Sequence, residues 1–219
     1  MSLAGTPPVD LGKIDITASE MMFWMYLPIS VPNDYSYQLP DNLRQFDDIV
    51  AAVLKHETSA FFLRYAYLTV KTLWVSGDYI GNRPGWHIDG YGTSDVNYIW
   101  ADRAPTEFLV APYREVGDGA SLWTLSDDCD ISMQEMATIA DDTSEPQHRF
   151  FFPDRHLLRL DNRVIHRSPV DFAPGMRTFV KVSLSHDRYN LKGNSVNHLL
   201  PATHWPLVDR AIERNHPAA

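Results

Sequence analysis

The sequence predicts a single, mainly β domain, built as a sandwich or barrel of short strands with a flanking helix. Six Trp, ten Tyr and ten Phe accompany 15 Pro and 11 Gly, a composition that favours strands and tight turns over a helical bundle. Segments dense in β-branched and aromatic residues recur between turn signals such as SGD, VGDG and FAPG. Since no linker, repeat or low-complexity segment divides the chain, we expect one domain over residues 14–219, preceded by a flexible arm over residues 1–13.

The first predicted elements are a strand in the first half of residues 14–40 and a helix over 42–57. Asp41 is a suitable N-cap for this helix, and apolar residues recur on one of its faces at helical spacing. Further strands are predicted over 61–75, 107–113, 148–153, 156–160, 163–168 and 177–185. The acidic segment 126–142 is interpreted as an insertion, and a short helix is expected after Pro206.

Charge and cysteine content exclude several classes of protein. The formal net charge is −9, which disfavours binding to nucleic acids and to anionic membranes. A single cysteine, Cys129, rules out an intrachain disulfide and fits a reducing compartment. No apolar run reaches the length of a membrane span, and the first residues do not resemble a secretory signal. We therefore expect a cytoplasmic protein, whose oligomeric state the sequence does not indicate.

The first candidate for chemistry is the motif GWHIDG at residues 85–90. On a strand, His87 and Asp89 would project from the same face, because residues two apart point the same way. A bare His-x-Asp motif is weak, since about one is expected by chance in a chain of this composition. A second histidine on a distant strand would complete a set of two histidines and one carboxylate with open positions, which suits non-haem Fe(II).

The segment LDNRVIHRSPVDFAPGMRTFVKVSLS supplies such a histidine. His166 lies in a predicted strand of its own, and Arg177, eleven residues later, opens the next strand. A guanidinium group matches a carboxylate with two parallel hydrogen bonds. By alternation, Arg177 shares one strand face with Phe179, Lys181 and Ser183. The alternative interpretation is that Arg177 is a solvent-facing residue on an edge strand.

Together these residues resemble the pattern of the Fe(II)/2-oxoglutarate-dependent dioxygenases, over about residues 60–188. The resemblance implies a double-stranded β-helix, or jelly roll, supported by the helix over 42–57. It implies that His87, Asp89 and His166 bind Fe(II) and that Arg177 binds the distal carboxylate of 2-oxoglutarate. The 76 residues between Asp89 and His166 lie within the family's range. Phe179 departs from the pattern, since this position is often Ser or Thr in the family.

The resemblance also implies an activity, with Fe(II) as cofactor and 2-oxoglutarate and O2 as co-substrates. Oxidation of a small molecule, or of an amino-acid or peptide side chain, would accompany release of succinate and CO2. The carboxylate of Asp89 favours hydroxylation over halogenation, because a halide needs that position on the metal. Two alternatives remain open. One is a non-catalytic jelly-roll binding or structural protein in which His87 and His166 lie apart. The other is a nucleic-acid demethylase of the same superfamily, against which the net charge argues.

Candidates for the substrate pocket lie beside the histidine–aspartate motif and in the segment that follows it. They are aromatic or polar residues of types that commonly line such pockets. The candidates are Trp86, Tyr91, Asn97, Tyr98, Trp100, Arg103 and Thr106. The same residues would equally serve as the core and rim of an ordinary β-sandwich.

Overall fold

The computed structural model describes residues 3–18, 20–77, 79–82, 85–90, 93–112, 115–116, 120–121 and 148–209. The predicted insertion over 126–142, Cys129 within it, and the last ten residues of the expected C-terminal helix lie outside these ranges. In the described part of the chain the strands are β1 (Leu3–Ala4), β2 (Val9–Lys13), β3 (Met22–Ser30), β4 (Tyr65–Val75), β5 (His87–Ile88), β6 (Val96–Ala101), β7 (Glu107–Leu109), β8 (Ala111–Pro112), β9 (Glu115–Val116), β10 (Ala120–Ser121), β11 (Arg149–Phe151), β12 (His156–Leu160), β13 (Ile165–Arg167) and β14 (Gly175–Ser185). The helices are α1 (Asp47–His56) and α2 (Thr58–Leu63), with 3-10 helices at Asp41–Phe46 and Pro201–Thr203.

Two antiparallel sheets form the body of the protein. The large sheet has the strand order β2-β12-β6-β14-β4-β3, and the small sheet has the order β11-β7-β13-β5. Followed along the chain, β4, β5, β6 and β7 alternate between the sheets, and β11, β12, β13 and β14 do the same from the other end. In the large sheet, β14, which ends this series of strands, lies between β6 and β4, the strand that begins it. This interleaving is that of a jelly roll, so the predicted fold class is confirmed.

Alternation along β14 separates two environments. Val180, Val182 and Leu184 face outward from the jelly roll and are fully buried against the helices. The helices contribute Leu43, Phe46, Ile49, Val50 and Val53 to this core. The other face of β14 carries Phe179, which packs with residues of both sheets in a second apolar cluster. The charged and polar residues of this inward face therefore lie between the sheets, where desolvation makes their pairing important.

Two predicted elements differ in their boundaries from the expectation. Residues 61–63 belong to α2 and not to the strand that follows, because Phe61 packs into the same core as α1. Short aromatic runs do not distinguish helix from strand. The predicted helix over 42–57 is divided into the 3-10 helix at Asp41–Phe46 and α1.

Residues 9–13 are also not a loose arm. They form β2, which pairs with β12 at the edge of the large sheet. This pairing satisfies backbone groups that would otherwise be exposed on the edge of β12. Among the described residues, no helix is long and apolar enough to cross a membrane.

Candidate metal centre

Neighbouring strands of the small sheet bring two histidines together. His87 on β5 and His166 on β13 are direct partners in the antiparallel register, and their ring centroids lie 4.4 Å apart. Asp89 lies in the turn that follows β5. One ligating atom from each of these three residues lies within 4.8 Å of the other two. The alternative in which the two histidines lie apart is therefore wrong.

Hydrogen bonds fix the tautomer of both histidine rings. The Nδ1 atom of His87 lies 2.9 Å from the carbonyl oxygen of Gly85, and that of His166 lies 3.0 Å from the carbonyl oxygen of Val164. Because a carbonyl only accepts, each Nδ1 must carry the proton. In the neutral form of each ring, Nε2 then presents its lone pair, as in histidines that bind metals while a second group holds the other nitrogen.

The Nε2 atoms of both histidines lie near the carboxylate of Asp89. The Nε2 atom of His87 lies 3.9 Å from Oδ1 of Asp89, and the Nε2 atom of His166 lies 3.6 Å from Oδ2. Two imidazoles and one carboxylate with ligating atoms this close together are the donor set that non-haem Fe(II) uses, with the remaining positions open to other ligands. The residues present therefore fit a ferrous ion.

Lys181 on β14 forms an ion pair with the same carboxylate. Its Nζ atom donates a hydrogen bond of 2.7 Å to Oδ2 of Asp89. Burial raises the pKa of Asp89, but Lys181, His166 and His87 together hold this pKa well below its usual range. Burial lowers the pKa of Lys181, and Asp89 outweighs this effect and raises it. Both groups are thus charged at neutral pH. Sequence alternation placed Lys181 on the inward face, but no signal assigned it to the centre.

Arg177 lies on the same inward face and is 3% exposed. Its Nε donates hydrogen bonds of 3.1 Å to the backbone carbonyls of Arg103 and Ala104. One terminal nitrogen, Nη2, is buried without a hydrogen-bond partner among the described residues. Burial lowers the pKa of Arg177 to about 10, so the group remains a cation at neutral pH. A buried guanidinium with an unused donor is suited to binding a carboxylate.

Two aromatic residues predicted for the pocket, Tyr98 and Trp100, lie elsewhere. Tyr98 and Trp100 occupy the outward face of β6, in the core beside α1. The Tyr98 hydroxyl lies 2.8 Å from Nδ1 of His56, and the Trp100 indole donates to the carbonyl of Ile14. Both expectations are corrected by strand alternation, because residues 97 and 99 are the ones that face inward. Asn97 does face inward, where its Oδ1 accepts a hydrogen bond of 2.7 Å from Ser183.

Three further pocket candidates, Trp86, Arg103 and Thr106, are held in the fold by burial or by contacts with other residues. Trp86 is buried with the guanidinium of Arg167 4.3 Å from its ring, on the face of the small sheet opposite the two histidines. Arg103 donates to the carbonyl of Ala173 in the turn before β14. Thr106 is buried immediately before β7. Tyr91 lies outside the described residues.

Comparisons with known proteins identify similar solved structures, among them two from Burkholderia xenovorans. No family model and no curated protein matches the chain. One structure is assigned as an α-ketoglutarate-dependent taurine dioxygenase from Burkholderia xenovorans, with 15% identity, a TM-score of 0.33, and coverage of 77% of this chain and 93% of that one. The other is a taurine dioxygenase from the same organism, with 14% identity, a TM-score of 0.33, and coverage of 76% and 91%. The fold assignment rests on the strand order, and the metal centre rests on the geometry of its three side chains.

Proposed function

We propose that this protein is an Fe(II)- and 2-oxoglutarate-dependent dioxygenase that hydroxylates a small molecule. The observation that carries the proposal is the donor set at the centre: two Nε2 lone pairs and one carboxylate converge from the small sheet. Three protein ligands leave about half of an octahedral coordination sphere open. A co-substrate and O2 need those positions.

The cations beside the centre favour a 2-oxo acid as the co-substrate. Catalytic zinc sites also use two histidines and a carboxylate, so the ligands alone do not select the reaction. Lys181 lies in contact with the centre, and Arg177 lies farther along the same strand face with an unused donor. A dicarboxylate that chelates the metal at one end would place its other carboxylate near Arg177. This arrangement matches the two charges of 2-oxoglutarate.

The protein's own groups would position and shield the reactants. Arg177 would orient the distal carboxylate of the co-substrate, and Lys181 would offset negative charge at the metal end. Phe179 lies between them, with its ring 5.2 Å from the Arg177 guanidinium, and packs in the apolar cluster between the sheets. Such packing excludes water from the reacting atoms. Bound iron would supply the activation of O2 coupled to oxidative decarboxylation of 2-oxoglutarate.

An anaerobic titration tests this proposal. The protein, freed of metal, is titrated first with Fe(II) and then with 2-oxoglutarate, and the weak visible charge-transfer band of a chelated 2-oxo acid is followed. The proposal predicts uptake of one equivalent of Fe(II) and a saturable band. His166→Gln should abolish both, whereas His204→Gln, at a histidine that instead contacts the carbonyl of Asn197, should behave as the wild type. Absence of the band, or a wild-type band in His166→Gln, would contradict the proposal.

A further inference from the structure

A third, partly buried cation lies beside the two already described. Lys71 on β4 is the direct cross-strand partner of Phe179 on β14. Phe179 is flanked along its own strand by Arg177 and Lys181, two residues away on either side. The three cations Lys71, Arg177 and Lys181 therefore surround one phenylalanine on the inward side of the large sheet; we call this group the cationic face.

In the described part of the chain, no carboxylate lies within ion-pair distance of Lys71. Among the described residues, Lys181 is the one member of the cationic face with a carboxylate within ion-pair distance. The Nζ atom of Lys71 donates instead to two neutral oxygens, the carbonyl of Gly81 at 2.8 Å and Oδ1 of Asn82 at 3.0 Å. A desolvated cation held only by neutral acceptors is costly, and an anion nearby would relieve that cost.

The surrounding charges increase this cost. Burial, followed by repulsion from Lys181 and Arg177, lowers the pKa of Lys71 to about 8. Asp89 acts in the opposite direction, but its carboxylate is already shared between Lys181 and the metal-binding position. At neutral pH Lys71 remains mostly protonated, and bound Fe(II) would add further positive charge. The positive charges at this site therefore outnumber the one negative charge of Asp89, which favours the binding of an additional anion.

We propose that Lys71 binds an anionic group of the primary substrate, so that the substrate is a small molecule carrying a carboxylate or a comparable oxyanion. This inference rests on the proposed function. The two carboxylates of 2-oxoglutarate are already matched, one at the metal beside Lys181 and one at Arg177. Lys71 is the cation of this face that neither Asp89 nor a carboxylate of 2-oxoglutarate would match.

The position of Lys71 also suits a substrate more than a co-substrate. Lys71 lies on the strand next to β3, which forms the edge of the large sheet. The ring of Phe23 on β3 lies 5.6 Å from Nζ of Lys71, and Phe23 is 53% exposed. Lys71 is thus placed between the buried centre and an open edge. A substrate entering there would meet the charge of Lys71 and the apolar ring of Phe23 before it reached the metal.

The test uses small anions on the assembled protein. Propionate, methylphosphonate and the neutral propionamide are titrated anaerobically into the complex with Fe(II) and 2-oxoglutarate, and binding is followed by calorimetry and by perturbation of the visible band. Lys71→Arg keeps the charge. Lys71→Gln keeps a hydrogen-bond donor for Gly81 and Asn82 but removes the charge, which separates anion binding from simple anchoring of the loop.

We expect at least one anion to bind saturably where propionamide does not. Lys71→Arg should retain this affinity within about threefold, whereas Lys71→Gln should weaken it by about tenfold or more, the usual effect of losing one charged hydrogen bond. The affinity for 2-oxoglutarate should change by less than about threefold in both variants.

Three results would overturn the inference while leaving the proposed function in place. These are equal binding of propionamide and the anions, unchanged anion affinity in Lys71→Gln, or a loss of 2-oxoglutarate affinity in Lys71→Gln that equals or exceeds the loss of anion affinity. The last result would assign Lys71 to the co-substrate. If the wild type forms no band with Fe(II) and 2-oxoglutarate, the proposed function itself fails, and this inference fails with it.

Discussion

The ion pair between Asp89 and Lys181 predicts a specific cost for removing a metal ligand. Asp89→Asn keeps the shape of the side chain but leaves Lys181 without a carboxylate within ion-pair distance among the described residues. Breaking a buried pair in this way typically costs about 3–5 kcal/mol. The Lys181 side chain is 10% exposed and that of Asp89 is 25% exposed. Since this partial exposure allows some screening, we expect a loss of about 2–3 kcal/mol in the free energy of unfolding.

Urea denaturation of the metal-free proteins at neutral pH measures this loss. The set comprises the wild type, Asp89→Asn, Lys181→Met and the double variant. The double variant should recover most of the stability lost in Asp89→Asn, because no unpaired charge then remains buried. The matched control is the pair Lys192–Asp209, which has the same 2.7 Å separation but side chains that are 61% and 88% exposed. Asp209→Asn should cost less than about 1 kcal/mol.

Two outcomes would refute this reasoning. One is a cost for Asp89→Asn no larger than that for Asp209→Asn. The other is a double variant as unstable as the sum of the two single variants. Either result would mean that Lys181 is not a buried cation that depends on Asp89.

Three further predictions concern the rest of the site and the core. The pKa of Lys71 is lowered from 10.5 to about 8, so between these pH values the unfolded chain binds more protons than the folded protein. The free energy of unfolding of the wild type should therefore rise with pH across this window. Lys71→Gln, measured by urea denaturation at each pH, should lack this contribution. Equal pH profiles would contradict the buried charge. Arg177→Met should weaken 2-oxoglutarate binding by about tenfold or more while sparing Fe(II) uptake in the anaerobic titration; loss of the metal as well would assign Arg177 to the centre itself. Phe46 is fully buried in the core beside α1, so Phe46→Ala should lower the free energy of unfolding by about 3–5 kcal/mol, and a loss below about 1 kcal/mol would show that this core is not packed as described.

The sequence predicted the members of the metal centre because their chemistry is local. His87 and Asp89 are two residues apart, and a histidine in a separate apolar strand was the natural third ligand. The strand β5 that carries His87 has only two residues, too few for periodicity to predict it. Its pairing with β13, which brings His166 beside His87, depends on contacts far apart in the chain.

The pocket was harder to predict, because β6 is buried on both faces. In such a strand, alternation divides the residues into two sets but does not indicate which set faces the metal centre. Tyr98 and Trp100 were therefore as plausible as pocket residues as Asn97 was. Lys71 and Lys181 were overlooked for a related reason. A lysine in a strand usually faces solvent. Alternation alone put Lys181 on the face of Phe179, but only the register of β4 against β14 places Lys71 there.

A crystal structure with Mn(II) and the unreactive analogue N-oxalylglycine would test the central claim most directly, using anomalous scattering to locate the metal. The account predicts one Mn(II) bonded to Nε2 of His87, Nε2 of His166 and a carboxylate oxygen of Asp89. The analogue should chelate the metal, with its distal carboxylate on Arg177. A metal bound at other residues, or an analogue held away from the metal, would contradict the proposal that this protein is a 2-oxoglutarate-dependent oxygenase.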